Sequence, residues 1–183
     1  MQYPDHLKPE DRFLRIVFFG SLAAAEPMEE FATWCITGVA AIVALVLANL
    51  ATVSKIISET GLRWGIVFLA LSMLAGVVAK QFGIAIRKGI ALLEALYAEL
   101  SKPEAREAMA NMTWTTEELQ KKMAEPFLWP VKGMMIRAAR RGATDSLSGE
   151  KRFIQLLCIQ VFASAFQSAS ATVGILVLAF GIK

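Results

Sequence analysis

Hydrophobic and polar positions are segregated along this chain on two scales. On the coarse scale, Phe31 to Val53, Trp64 to Ala79 and Phe153 to Ile182 contain no charged residue. The first and last of these runs exceed the ~18–20 residues that a helix needs to cross a bilayer. The middle run meets Lys80-Gln81 and resumes as Phe82-Gly83-Ile84-Ala85-Ile86. A lysine one turn from a helix end can lay its stem along the helix and place its amine among the headgroups. The pattern therefore predicts three spanning helices, with Trp34 and Trp64 in the aromatic belts.

On the fine scale, the spans have two unlike faces. Steps of four and three along the third run collect Gln160, Ser164, Gln167, Ala171, Gly174, Leu178 and Gly181, a seam of small and polar side chains. The opposite face carries Cys158, Phe162, Phe166, Val173, Leu176 and Phe180. In lipid, apolar burial does not draw helices together, so small residues that allow close approach mark a helix interface. The same spacing gives Thr37, Ala41, Ala44, Ala48 and Ala51 in the first span, and Gly65, Leu69, Ser72, Gly76, Ala79 and Gly83 in the second. In the second span the seam continues as Ile86, Ile90, Leu93, Tyr97 and Leu100. Small packing residues suit lipid, whereas Ile and Leu suit burial from water. This predicts one helix from about Leu62 to Leu100, ~58 Å long, with cytoplasmic packing along its last third and Gly83 and Gly89 as kink points. The polar half of the third span reads first as a packing face and second as the wall of a pore.

Composition agrees with the pattern. The chain of 183 residues is 56% hydrophobic and 19% charged, more apolar than a soluble domain of this size. A net charge of +3 is too small to suggest a nucleic-acid partner. With three spans, the N-terminal tail and the segment between the second and third spans share one side. That side holds every Lys and Arg except Lys55, Arg63, Lys183 and the junctional Lys80. The positive-inside rule places the N-terminus in the cytoplasm and the C-terminus outside. The stretch RIVFFGSLAAAEP resembles a signal peptide, but cleavage after Ala25 would move the basic segment outside, against that rule. Residues 11–25 are instead expected to form an amphipathic helix at the cytoplasmic interface. Arg12 and Arg15 would sit at headgroup level, with Phe13, Ile16, Val17 and Phe19 inward. Glu26, Glu29 and Glu30 interrupt the apolar run before a fourth span can form.

The expected fold is thus an all-α integral membrane protein in four parts. They are a tail with an interfacial helix (1–30), spans one and two with the second continuing into the cytoplasm (31–100), a cytoplasmic helical segment (101–152) and the third span (153–183). Within the cytoplasmic segment, Ser101, Pro103 and Glu104 predict one helix start, and Thr115 with Glu118 predicts another through a capping box. EPFLWPVKGMMIRAARRG then predicts a basic helix closed at Gly142, with an apolar stripe of Leu128, Val131, Met135 and Ala138. Two roles fit it equally. One is a helix on anionic lipid, with Phe127 and Trp129 at headgroup depth and Lys132, Arg137, Arg140 and Arg141 around them. The other is a member of a small bundle whose charged face is merely solvated.

The chain offers little to catalysis. Its one histidine, His6, lies in a polar tail, and no phosphate loop, dinucleotide fingerprint or CxxC occurs. Cys35 and Cys158 read as small apolar fillers rather than a disulfide pair. The acid pairs Glu29-Glu30 and Glu117-Glu118 are explained by favourable charge at helix starts. No ionisable residue falls at mid-membrane, which argues against a proton relay or an ion-coupled carrier. No cofactor or metal is expected, and the partners are membrane lipids. The expected function is non-catalytic association, as a homo-oligomer or as an accessory or assembly subunit of a larger membrane complex. An oligomeric channel lined by Gln160, Ser164 and Gln167 is the alternative. The compact chain and its charge asymmetry suggest a bacterial inner membrane.

Overall fold

The computed structural model describes residues 8–130, 132–137 and 147–182. Among them the secondary structure is helical, with one isolated bridge between Ile57 and Ile182. The elements are α1 (Pro9–Leu22), α2 (Ala25–Ala48), α3 (Leu50–Ile56), α4 (Glu59–Leu100), α5 (Pro103–Ala110), α6 (Thr116–Ala124) and α7 (Ser148–Phe180), with a helical segment at 132–137 between α6 and α7. Three stretches are long and apolar enough to cross a membrane by length and composition: Pro9–Ala48, Glu59–Leu100 and Ser148–Phe180. The chain divides into two compact units, one of residues 1–20 and 89–153, the other of residues 21–88 and 154–183.

Several boundaries differ from those expected. The acidic residues 26, 29 and 30 do not precede the first span but form the opening turns of α2. That span also stops short of Val53. Asn49 turns its side-chain amide onto the Leu45 carbonyl at 2.9 Å, and its backbone leaves helical geometry, so α2 gives way to α3. Short polar side chains compete with the helix for backbone partners in this way. Ser58 then opens α4 by accepting the amide of Gly61 at 3.2 Å, as an N-cap does. From there α4 runs for 42 residues, with Gly83 and Gly89 inside it. At the next junction Ser101 does not cap α5. Its hydroxyl donates back to Ala98 at 2.7 Å, Lys102 takes the cap position, and Pro103 begins the helix. The capping box of Thr115 and Glu118 on α6 is formed by both of its bonds.

The unit of residues 21–88 and 154–183 is built on α2, α4 and α7. Its core is Val39, Val46, Leu69 and Leu178, with Ile42, Leu62, Ile66 and Met73 packed against it. On α4 the buried positions are Gly61, Gly65, Leu69, Ser72, Gly76, Ala79, Gly83 and Ile86, spaced by four and three throughout. The bulky face of α7, Cys158, Phe162, Phe166, Val173, Leu176 and Phe180, is exposed.

The unit of residues 1–20 and 89–153 has a polar centre. Arg15 of α1 and Glu150 of α7 form a 2.6 Å ion pair with side chains only 7% and 6% exposed. The Arg15 guanidinium lies 5.9 Å from the ring centre of Tyr97 on α4. Expectation placed Arg15 among headgroups; the structure buries it instead, because Glu150 supplies a charge partner. The side chain of Arg12 lies outside the described residues. Phe13, Ile16 and Val17 are exposed, Phe19 is partly covered, and Ala124 and Leu147 complete the buried set.

Candidate functional site

The polar face of α7 meets both neighbouring helices. Gln160 and Gln167, seven residues apart, donate their amides to the carbonyls of Ala25 at 2.9 Å and Ala32 at 3.1 Å, also seven apart on α2. The two bonds share one offset of 135 residues, so α2 and α7 run parallel in heptad register. Val39 and Val46, the other buried positions of α2, pack in the apolar core with Leu69 of α4 and Leu178 of α7.

α4 runs the other way. A Cβ on Gly61 would stand 2.9 Å from the Cα of Gly181, and one on Gly65 would collide with Leu178. At Gly76 it would collide with the Gln167 amide and with Ile36, and at Gly83 it would come within 2.7 Å of the Gln160 amide. As the position on α4 rises by 22, from 61 to 83, its partner on α7 falls by 21, from 181 to 160: an antiparallel pair with glycine windows. Ser72 completes the contact by donating to the Gln167 carbonyl at 2.8 Å. Interhelical hydrogen bonds of this kind contribute about 0.6–2 kcal/mol each in a membrane.

The residues singled out in the sequence are therefore distributed unevenly. Gln160, Ser164, Gln167, Gly174, Ser72, Gly76, Ala79 and Gly83 come together in this contact, buried, with Ala171 partly covered beside them. Thr37, Ala41 and Ala44 do not join it. They are exposed, with Ala48, on the face of α2 opposite its buried line, and Ala51 is exposed on α3. The seam expected along the first span is thus not used within the chain. The packing line within the chain is Ala25, Ala32, Val39 and Val46: the carbonyls of Ala25 and Ala32 accept from Gln160 and Gln167, and the valines pack with Leu69 and Leu178. The hydroxyl of Thr37 is satisfied within its own helix by Thr33 at 3.0 Å.

Along the rest of α4, Ile86 is fully buried, Ile90 and Leu93 are half-buried, and Tyr97 and Leu100 are exposed. The residues expected at headgroups are Lys80, which is half-buried, and Trp129, Lys132 and Arg137, which are exposed. Arg140, Arg141, Val131, Ala138 and Gly142 lie outside the described residues. Sequence reasoning missed three ion pairs: Arg15 with Glu150, and Arg87 with both Glu29 at 3.2 Å and Glu26 at 3.8 Å. Their partners are far apart in the chain, and no local pattern joins them.

The chemistry of the three-helix contact is that of a lock. It holds amides, hydroxyls and backbone carbonyls in fixed register, and among the described residues no group of three His, Cys, Asp or Glu could hold a metal ion. Outside it, on α6, the amide and hydroxyl of Thr115 hold the Glu118 carboxyl below its usual value. No protein-family model, characterised protein or solved structure matches the chain.

Proposed function

We propose that this chain is a non-catalytic integral membrane protein that works by association, as a homo-oligomer or as an accessory or assembly subunit of a larger membrane complex. The observation that carries the reading is the unused face of α2. The seams of α4 and α7 are consumed within the chain, whereas Thr37, Ala41, Ala44 and Ala48 form a second small-residue face turned outward. In lipid such a face permits another helix to approach closely, and bulky side chains there would serve lipid contact equally well. The asymmetry of Lys and Arg supports an N-terminus in the cytoplasm, and a bacterial inner membrane is the setting we infer.

The pore reading asks Gln160, Ser164 and Gln167 to face water. In the chain all three are buried, and the amides of Gln160 and Gln167 are bonded to α2. The test is particle mass in mild detergent. The parent should run as a defined assembly, Ala44→Phe should shift it to a smaller mass, and Phe166→Leu on the exposed face of α7 should leave it unchanged. A parent that runs as a single chain with full stability would overturn the proposal.

A further inference from the structure

The unit of residues 1–20 and 89–153 carries an apolar surface that its own fold leaves uncovered. Between α6 and the helical segment at 132–137, Leu128 and Trp129 are 84% and 87% exposed, and Phe127 beside them is exposed as well. Next to this tip lies an open pocket of about 300 Å³ lined by Glu118, Lys121, Lys122, Glu125 and Lys132. Glu118 is engaged by the amide and hydroxyl of Thr115. Lys122 lies 4.5 Å from the ring centre of Trp114, its ammonium over the aromatic face. Arg137 is exposed in the following helical segment and adds to the positive charge.

We propose that this tip is a docking surface for an anionic bilayer. Phe127, Leu128 and Trp129 enter at headgroup depth, while Lys121, Lys122, Lys132 and Arg137 hold lipid phosphates. Two arguments favour a lipid surface. Bulky apolar and aromatic side chains flanked by lysine are what the boundary between headgroups and acyl chains accepts, with the rings in the apolar layer and the amines among phosphates. The segment is also tethered at both ends to α4 and α7, each apolar enough to cross a membrane, so a bilayer is present at high effective concentration. Each basic residue near an anionic surface strengthens docking several-fold, and added salt weakens it. The inference rests on the membrane reading and is independent of association.

The experiment uses the full chain with Cys35 and Cys158 replaced by alanine and Trp129→Cys carrying an environment-sensitive dye. It is reconstituted at one copy per nanodisc, in phosphatidylcholine alone or with phosphatidylglycerol. The dye should shift to the blue and be quenched by nitroxide on the acyl chains in the anionic discs, and much less in the neutral ones. The double variant Lys121→Glu, Lys132→Glu should lower the docked-to-undocked ratio in anionic discs by about tenfold or more. Millimolar inorganic phosphate added to neutral discs should not reproduce the shift. Equal spectra in both discs, a shift produced by phosphate alone, or a blue shift without nitroxide quenching that appears only in comparison discs loaded with two copies would each overturn the proposal. The last result would place a second copy on the tip. A chain that enters neither disc overturns the membrane reading and this inference together.

Discussion

Arg15 and Glu150 hold opposite charges out of solvent, and their value depends on both being present. Removing one leaves the other buried without a partner, a loss of about 3–5 kcal/mol, whereas replacing both with apolar side chains of similar size is close to neutral. Arg15→Ala is therefore expected to lower the thermal midpoint strongly, and Arg15→Met with Glu150→Leu to recover most of that loss. A double variant no better than the single one would mean that the pair does more than fill a buried space. The capping box makes a second test at this scale. The carboxyl of Glu118 is held below its unfolded value, so its contribution to α6 is complete above that unfolded value and lost as pH falls through the folded one. Amide protection in the first turn of α6, taken relative to the intrinsic exchange rate at each pH, should fall over that acidic range in the parent, and Thr115→Ala should remove most of that change.

Glycines decide which elements can approach. At Gly76 an added methyl would meet the Gln167 amide and Ile36, while at Gly38 on α2 nothing lies within 4 Å of such a methyl. Alanine is favoured over glycine in a helix by about 1 kcal/mol. Gly38→Ala should therefore be neutral or stabilising. Gly76→Ala should destabilise despite that gain, as read by thermal unfolding in detergent. Much of the three-helix contact was legible here. Glycine, serine and glutamine at 3.5-residue spacing stand out against a bulky opposite face, and they locate the packed sides of α4 and α7. α2 shows where that reading stops. Its alanine-rich face looks like the better seam, yet the packed line mixes two alanines with two valines. Complementarity belongs to a pair of helices: Ala25 and Ala32 are chosen by Gln160 and Gln167, and no inspection of α2 by itself shows this. The break at Asn49 and the burial of Arg15 were hidden for a like reason, since each depends on a particular bond rather than on a period.

Two kinds of contact bear on the whole molecule, one within the chain and one that we propose outside it. One is internal: polar locks and glycine windows join α2, α4 and α7, and Gln167→Leu should weaken that contact by about 0.6–2 kcal/mol without undoing it. The other is external, and we assign it to the outward small face of α2. The most direct measurement is cross-linking in intact native membranes. The chain would carry a single cysteine at Ala44→Cys, with Leu176→Cys on the bulky exposed face of α7 as comparison and Cys35 and Cys158 replaced in both. A short bifunctional maleimide should trap a product of defined higher mass from position 44 and little from position 176. Cross-linking absent at 44, or equal at the two positions, would contradict the claim that this protein works through the face of α2 that its own fold leaves open.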